Sequence, residues 1–532
     1  MIDLKTIRGG ASFDVRSGPS RVALVHHGFR MTQMGATDKR QSRFSARYAS
    51  LGLLNLARSA QVDFEEGRIP FEPEFRYFDE DCYDDDDDLA QAISDWLRPA
   101  SARFVMAGLY SLAFDRSATM LRRLDPAEIC IVVGGAHPTV APNVDFAHLV
   151  VRGEGGQAVQ HILSHFLQPG FGTGEDAHGL CFQIDGKVTM GRPVFDKSLA
   201  KIPAPAFAYE LSAMQTGTVA ERWWKAVGSL PQIYICTQSC RARCTFCSTY
   251  LIHGKLVSRP VELIAGDLDH MIDRLGHDSI QFHDDDLLQH EEFDDLMSLL
   301  RQRGVVWTCN ARSEFITPDL ARTLYDAGCR KVFLGAESFD QRTLDYFHKA
   351  TTVEMNQRAV EALDRAGIGV VCGYIIGAPH DTVESILADL DRALELPIYF
   401  LAAAILTPDI GTIEFKRAVQ RIPELRVLGD DASGLNVRPR PDLFGTEAPY
   451  GMPTVSETVS KAALNELYKL ANCSFFLRDE ALQRIRRHTT PGRLDEAMDW
   501  CALHRNVACE LSQTARLPQV SERAEALFEA VR

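Results

Sequence analysis

Three thiols within eight residues, Cys240, Cys244 and Cys247, carry the most specific chemistry in this chain; three residues separate the first two and two separate the last pair. Thiolates at this spacing can hold three irons of a four-iron cluster and leave the fourth iron open to a substrate or cofactor. Arg241 and Arg243 inside the loop would offset the negative charge of the thiolates, and Phe246 would shield one side from water. Zinc is the rival reading. A structural zinc site normally takes four protein ligands, however, and no second Cys-x-x-Cys pair follows downstream. Cys236 ends the apolar run Ile233-Tyr234-Ile235 and reads as strand core, while Cys473, Cys501 and Cys509 have no cluster spacing.

The elements that must position this loop are α/β throughout. From Arg21 to about Gln168 short apolar runs alternate with helical stripes: strands at 21–26, 104–109 and 129–133, a later apolar segment at 149–151, and a helical stripe over 51–57. Runs so short and so apolar predict buried parallel strands in an open, doubly wound, Rossmann-like sheet. The acidic run from Asp79 to Asp88 reads as a solvated loop or helix start. Gly134-Gly135-Ala136-His137-Pro138-Thr139 and Gly153-Glu154-Gly155-Gly156 follow strands, where glycines allow the backbone to approach a flat or phosphate-bearing ligand; a plain structural turn is the alternative for each.

After a proline-marked linker the alternation restarts. Strands are expected at 232–236, 279–283, 305–310, 331–335, 369–376 and 398–406, with helices between them at 261–275, 291–303, 318–327, 353–366 and 382–396. Six such units make a partial (β/α)6 barrel with its ligands at the carboxyl ends of the strands. The expected divisions are 1–192, a linker over 193–228, the barrel over 229–418, and a mostly helical C-terminal cap over 419–532.

A chain of 532 residues with 45% hydrophobic content can bury two or three cores. Its formal charge of −15, with no Lys/Arg-rich block, argues against nucleic acid or an anionic membrane as the main partner and points to a small-molecule or carrier-bound substrate. The first residues lack the pattern of a secretion signal, no apolar run reaches membrane-spanning length, and the oxidisable triad suits a reducing compartment, so a cytoplasmic location is expected.

The cysteine loop placed directly after the first barrel strand, followed by this strand succession, resembles the radical S-adenosylmethionine (radical SAM) enzymes, whose pattern is Cys-x3-Cys-x2-Cys. The resemblance covers roughly 232–418 and implies that Cys240, Cys244 and Cys247 bind a [4Fe-4S] cluster whose open iron takes the amino and carboxyl groups of SAM. It also implies SAM contacts at Asp284 or Asp285 after the second strand, at Arg312 after the third, at Glu337 and Ser338 after the fourth, and at Ile375 and Gly377 in a glycine-rich turn after the fifth. The chemistry implied is one-electron reduction of SAM to methionine and a 5′-deoxyadenosyl radical, with an external flavodoxin- or ferredoxin-like electron donor.

The N-terminal segment resembles the cobalamin-binding domain attached to a large branch of that family, with a corrin held at Gly108, Ser111, Leu112, Gly134, Gly135, His137, Gly153, Glu154 and Gly155. No Asp-x-His-x-x-Gly motif is present to ligate cobalt, which leaves the metal free to carry a methyl group. The resemblance thus implies methylation of an unactivated carbon in a natural-product intermediate. Ring contraction, cyclisation or oxidation without methyl transfer is the second reading, and a non-catalytic cobalamin or redox sensor the third. Nothing in the sequence names a catalytic side chain.

Overall fold

The computed structural model describes residues 6–7, 15, 18–26, 50–110, 114–166, 168, 171, 179–184, 187–195, 198–201, 227–422 and 454–530. Expectations for Ser111 and Leu112, most of the linker, and the Pro/Gly-rich stretch up to Pro453 lie outside these residues.

The N-terminal sheet contains β1 (Thr6–Ile7), β2 (Ser20–His26), β3 (Glu74–Asp79), β4 (Ala102–Gly108), β5 (Cys130–Gly134), β6 (Leu149–Val151), β7 (Leu180–Ile184) and β8 (Lys187–Met190). Strands β3-β2-β4-β5-β6 run parallel in that order; β7 is antiparallel to β6, and both β8 and β1 pair with β7. The two-residue period of a strand explains the double winding. Val22 and Leu24 of β2 pack into a core shared with helices Leu51–Glu65 and Gly156–His165, whereas Ala23 and Val25 pack into the opposite core with helices Asp86–Leu97 and Phe114–Leu121. The chain visits β3 on one side of β2 and then β4 on the other. The strand order therefore reverses between β2 and β4, where a sheet of this kind opens a crevice at its carboxyl edge.

The acidic run resolves into local structure. Asp79 ends β3, and Asp85 accepts hydrogen bonds from the Asp87 and Asp88 amides, capping helix Asp86–Leu97, where carboxylates complement the helix dipole.

The second sheet is six-stranded and parallel in the order β9 (Pro231–Tyr234), β12 (Ser279–Phe282), β13 (Val306–Arg312), β14 (Cys329–Glu337), β15 (Gly369–Ile376) and β16 (Phe400–Ile405). Between its first two strands the small antiparallel pair β10 (Thr237–Gln238) and β11 (Val257–Ser258) closes off the cysteine loop. This is the expected half-barrel. Strand β14 runs longer at both ends than the expected 331–335, so Glu337 belongs to the strand itself.

The C-terminal helices Lys461–Phe476, Asp479–His488, Leu494–Thr514 and Pro518–Ala530 form the expected helical cap. Phe476 meets Phe400 edge-to-face at 5.0 Å, and Leu464 comes within van der Waals reach of the Gly377 turn, so the cap covers the last strand of the barrel. His504 lies buried in the cap against Phe476, its Nδ1 2.8 Å from the Trp500 carbonyl, and burial lowers its pKa to about 4. A folded-state value below the ordinary one means that the folded protein resists binding this proton. Stability from His504 is therefore complete above about pH 6.5 and is lost as pH falls toward 4, by at most about 3 kcal/mol. His504→Phe is expected to shrink the drop in melting temperature between pH 7 and pH 4.5; an identical drop in the variant would show that the ring titrates normally.

Candidate functional site

The cysteine loop leaves β10 through Ser239, a non-glycine residue at φ +73°, a conformation that costs free energy unless its surroundings enforce it. Two bonds do so: the Ser239 amide donates to Asp285 Oδ2 at 3.1 Å and its hydroxyl donates to the Gly254 carbonyl at 2.8 Å. Asp284 accepts from the Cys236 amide at 3.0 Å, from the Thr237 hydroxyl at 2.7 Å and from the Thr237 amide. Asp285 Oδ1 accepts from the Thr249 hydroxyl at 2.9 Å, on the short helix Thr249–His253 that follows Cys247. Asp286 accepts from Gln289 Nε2 at 2.8 Å; Gln289 in turn receives the Arg241 amide at 3.0 Å and donates to Cys240 Sγ at 3.2 Å. All three aspartates of the second strand end thus hold the loop in shape.

Asp284 is the clearest departure from the sequence reading. It is fully buried beneath the loop, and burial raises its pKa to about 6 against the lowering effect of its Thr237 and Cys236 hydrogen bonds. A group so placed is spent on the protein's own backbone.

The thiols themselves fit a cluster. Cys240 and Cys247 are half-buried and Cys244 is buried, none is in a disulfide, and Cys236 is sealed in the core as expected. Among the described residues no three His, Cys, Asp or Glu side chains converge as a single metal ion requires. A four-iron cluster needs no such convergence, because each thiolate takes its own iron. Donors already point at sulfur: the Ala242 amide and Gln289 at Cys240, and Arg312 Nη1 at Cys244 at 3.3 Å. Arg312, rather than Arg241 or Arg243, is the cation beside the thiols; Arg241 and Arg243 are exposed, and Arg243 lies over the Tyr250 ring.

The remaining strand ends divide into engaged and open groups. Arg312 spends its other nitrogens on Glu314 and on the Lys349 carbonyl. Glu337, at φ +66°, pairs with Lys349 Nζ at 2.9 Å, while Arg312 pairs with Glu314. Ser338 donates to Asp389 at 2.7 Å and, with Ile375, Tyr374 and His380, lines a small cavity beside helices Gln341–Tyr346 and Val383–Leu394. Gly377 at φ +91° starts a turn in which Asp381 Oδ2 receives the Gly377 and Ala378 amides at 2.9 and 2.8 Å. Sequence reasoning missed Gln289, which follows no motif, and Lys349, which sits in an irregular turn with no periodicity to mark it.

In the N-terminal sheet Gly108 stands at the strand-order reversal, with no atom of the other described residues beyond its chain neighbours within 4 Å of where a Cβ would be, and Gly134 has only ordinary contacts. Gly135 (φ +96°) shapes the turn around the Leu109 backbone. His137 faces inward, its ring tilted against Phe114 with the centroids 4.4 Å apart, and burial lowers its pKa to about 4. The second glycine loop differs from the expected ligand cradle. A Cβ on Gly153 would fall 2.0 Å from the Val194 carbonyl, one on Gly155 would strike Leu56, and Glu154 Oε1 lies 3.2 Å from His253 Nδ1. These residues clamp the linker, a helix and the barrel.

The two carboxyl edges meet. Val140 packs in one apolar cluster with Leu251, Phe246 and Ile410, and Glu154–His253 ties the N-terminal sheet to the helix after Cys247. The loop after β5 and the cysteine loop are therefore neighbours.

Residues 234–393, from the end of β9 into the helix after β15, match the radical SAM superfamily. The chain carries a radical SAM domain. The structure resembles the cobalamin-dependent SAM radical enzyme OxsB (TM-score 0.62, 12% identity, 97% of this chain and 80% of that one). It also resembles the radical SAM methyltransferase TsrM of Kitasatospora setae (TM-score 0.60, 14% identity, 96% and 99%). At such identities the likeness is one of fold, and it extends across the N-terminal sheet, the radical SAM domain and the cap. An uncharacterized methyltransferase of Pyrococcus horikoshii is 27% identical over 305 residues, covering 55% of this chain and 63% of that protein. The chain thus spans less than two thirds of the length of that relative.

Proposed function

We propose that the chain is a cobalamin-dependent radical SAM methyltransferase acting on an unactivated carbon of a small or carrier-bound natural-product intermediate. The observation that carries this reading is the adjacency of the two carboxyl edges, which sets the open Gly108–Gly134 face beside a three-thiol loop held by Asp284, Asp285 and Asp286. When bound, the cluster with SAM supplies a hydrogen-abstracting radical and cobalamin supplies a methyl carrier. The chain's part is to hold Cys240, Cys244 and Cys247 as ligands, to screen Cys244 with Arg312, and to present glycine backbone to a corrin. Methyl transfer is favoured over rearrangement because both the Pyrococcus relative and TsrM are methyltransferases by name. A low-potential flavodoxin- or ferredoxin-like donor and a reducing, cytoplasmic setting fit the oxidisable triad. Among the described residues no helix is long and apolar enough to cross a membrane.

Protein loaded anaerobically with hydroxocobalamin and desalted is expected to keep the corrin absorption, and Gly108→Trp to lose it with iron content unchanged. Gly108 is the better probe than Gly135, whose left-handed backbone would be strained by any side chain. S-adenosylhomocysteine should accompany 5′-deoxyadenosine. Reductive SAM cleavage by a wild type that retains no corrin would replace this reading with a cobalamin-free enzyme, and 5′-deoxyadenosine without S-adenosylhomocysteine would favour rearrangement.

A further inference from the structure

Asp409 stands in the loop that leaves β16 at the carboxyl edge of the barrel. Backbone bonds fix this loop: the Leu406 amide donates to the Ile376 carbonyl at 2.8 Å and the Asp409 amide to the Thr407 carbonyl at 3.1 Å, while the Asp409 carbonyl receives the Thr412 amide at 3.1 Å and the Thr412 hydroxyl at 2.6 Å. Its surroundings are apolar. Leu406 and Ile410 belong to the cluster that contains Val140, Phe246, Leu251 and Ile375, and a Cβ on Gly411 would lie 3.2 Å from Leu251 Cδ1 and 3.3 Å from Val140 Cγ1. Asp409 therefore sits where the loop after β5, the helix after Cys247 and the end of β15 come together.

The Asp409 carboxylate has no hydrogen-bond or ion-pair partner among the described residues. It is half-buried, and burial alone raises its pKa to about 6, as desolvation of an unpaired carboxylate does. The charged groups on the packed elements are engaged elsewhere. Asp381 of the Gly377 turn receives the Gly377 and Ala378 amides, His380 meets Thr343 Oγ1 at 3.1 Å, Glu414 at the start of helix Ile413–Arg421 pairs with Arg417 and Arg421, and His253 pairs with Glu154. None of them neutralises Asp409. An ionised carboxylate kept in apolar surroundings weakens the fold, and it leaves a place for an opposite charge from outside the chain. We propose that Asp409 receives a cationic nitrogen, an ammonium or amidinium group, carried by the substrate. This rests on the methyltransferase reading above and narrows its substrate to compounds with a basic nitrogen. The ion pair forms only when the substrate is bound, so it favours a cation and rejects a neutral isostere that would leave the carboxylate desolvated and unpaired.

The test uses phenethylammonium and its neutral isostere 2-phenylethanol as probes, in equilibrium dialysis against protein carrying the cluster and hydroxocobalamin. One charge-assisted contact corresponds to about 10- to 100-fold tighter binding of the ammonium by the wild type at neutral pH. Asp409→Asn should bring that ratio near one, and the wild-type ratio should fall as pH drops below about 6. Stability should move the opposite way. Folding raises this pKa from 3.8 to about 6, so the carboxylate weakens the fold increasingly across that window and fully above it; the Asn apoprotein should melt higher than the wild type at about pH 8 and level with it at about pH 4. The proposal is overturned if the loaded wild type binds both probes equally, if the Asn variant keeps the preference, or if that variant melts lower at about pH 8, which would give the carboxylate a structural partner. It is equally overturned if Asp409→Asn weakens SAM binding by the same factor as ammonium binding, since the carboxylate would then belong to the SAM site. A wild type that retains no corrin would instead overturn the methyltransferase reading itself.

Discussion

Alanine in place of Cys240, Cys244 or Cys247 is expected to abolish the four-iron cluster and all 5′-deoxyadenosine formation, because two remaining thiolates cannot hold three irons. Cys236→Ala should keep both. That contrast is informative because Cys236 lies only four residues before Cys240 yet is sealed in the core, its amide bound to Asp284 at 3.0 Å. Iron content and visible absorption after anaerobic reconstitution would decide it; loss of iron in the Cys236 variant alone would overturn the ligand assignment.

Asp284→Ala should rank next, although it removes no ligand. It leaves the Cys236 and Thr237 amides and the Thr237 hydroxyl without their acceptor in a buried site, a loss of about 3 kcal/mol or more. The apoprotein should melt several degrees lower, and cluster yield should fall to less than half. Asp284→Asn, which keeps an acceptor oxygen, should recover part of each. A variant with normal melting and normal iron but weakened SAM binding would return Asp284 to the ligand-contact role that its sequence position suggests.

The architecture was legible because it rests on local periodicity. Strand β15 runs from Gly369 to Ile376 as its unbroken apolar run predicts, and helix Val353–Ala366 begins at the Thr352 cap and ends at left-handed Gly367. Strand β3 escaped notice because its exposed Glu74 and Arg76 break the apolar run, as the edge position beyond β2 allows. At the site, residue types were legible and their allegiances were not. Which carboxylate faces a ligand is decided by partners such as Cys236, 48 residues before Asp284. Glycines behaved likewise: Gly108 and Gly153 both follow strands, but only the packing of Val194 over Gly153 separates an open surface from a closed one.

The clamp at Gly153 bears on reaction kinetics. Val194 pairs with the backbone on both sides of Gly153, Phe195 packs against Gly254 beyond the cysteine loop, and the Leu199 carbonyl receives Arg259 of the barrel at 2.9 Å. The segment joining the two sheets is therefore stitched to both before the chain goes on to the barrel. Where two reactive centres are joined by a free linker, their effective concentration depends on its length and stiffness. On the proposed function it would be set here by the fitted surfaces instead, so that an encounter between the corrin face and the cysteine loop would occur at a fixed separation and without a search. Lengthening the chain after Leu199 should leave that encounter unchanged, whereas prying Val194 from Gly153 would convert it into a diffusive one.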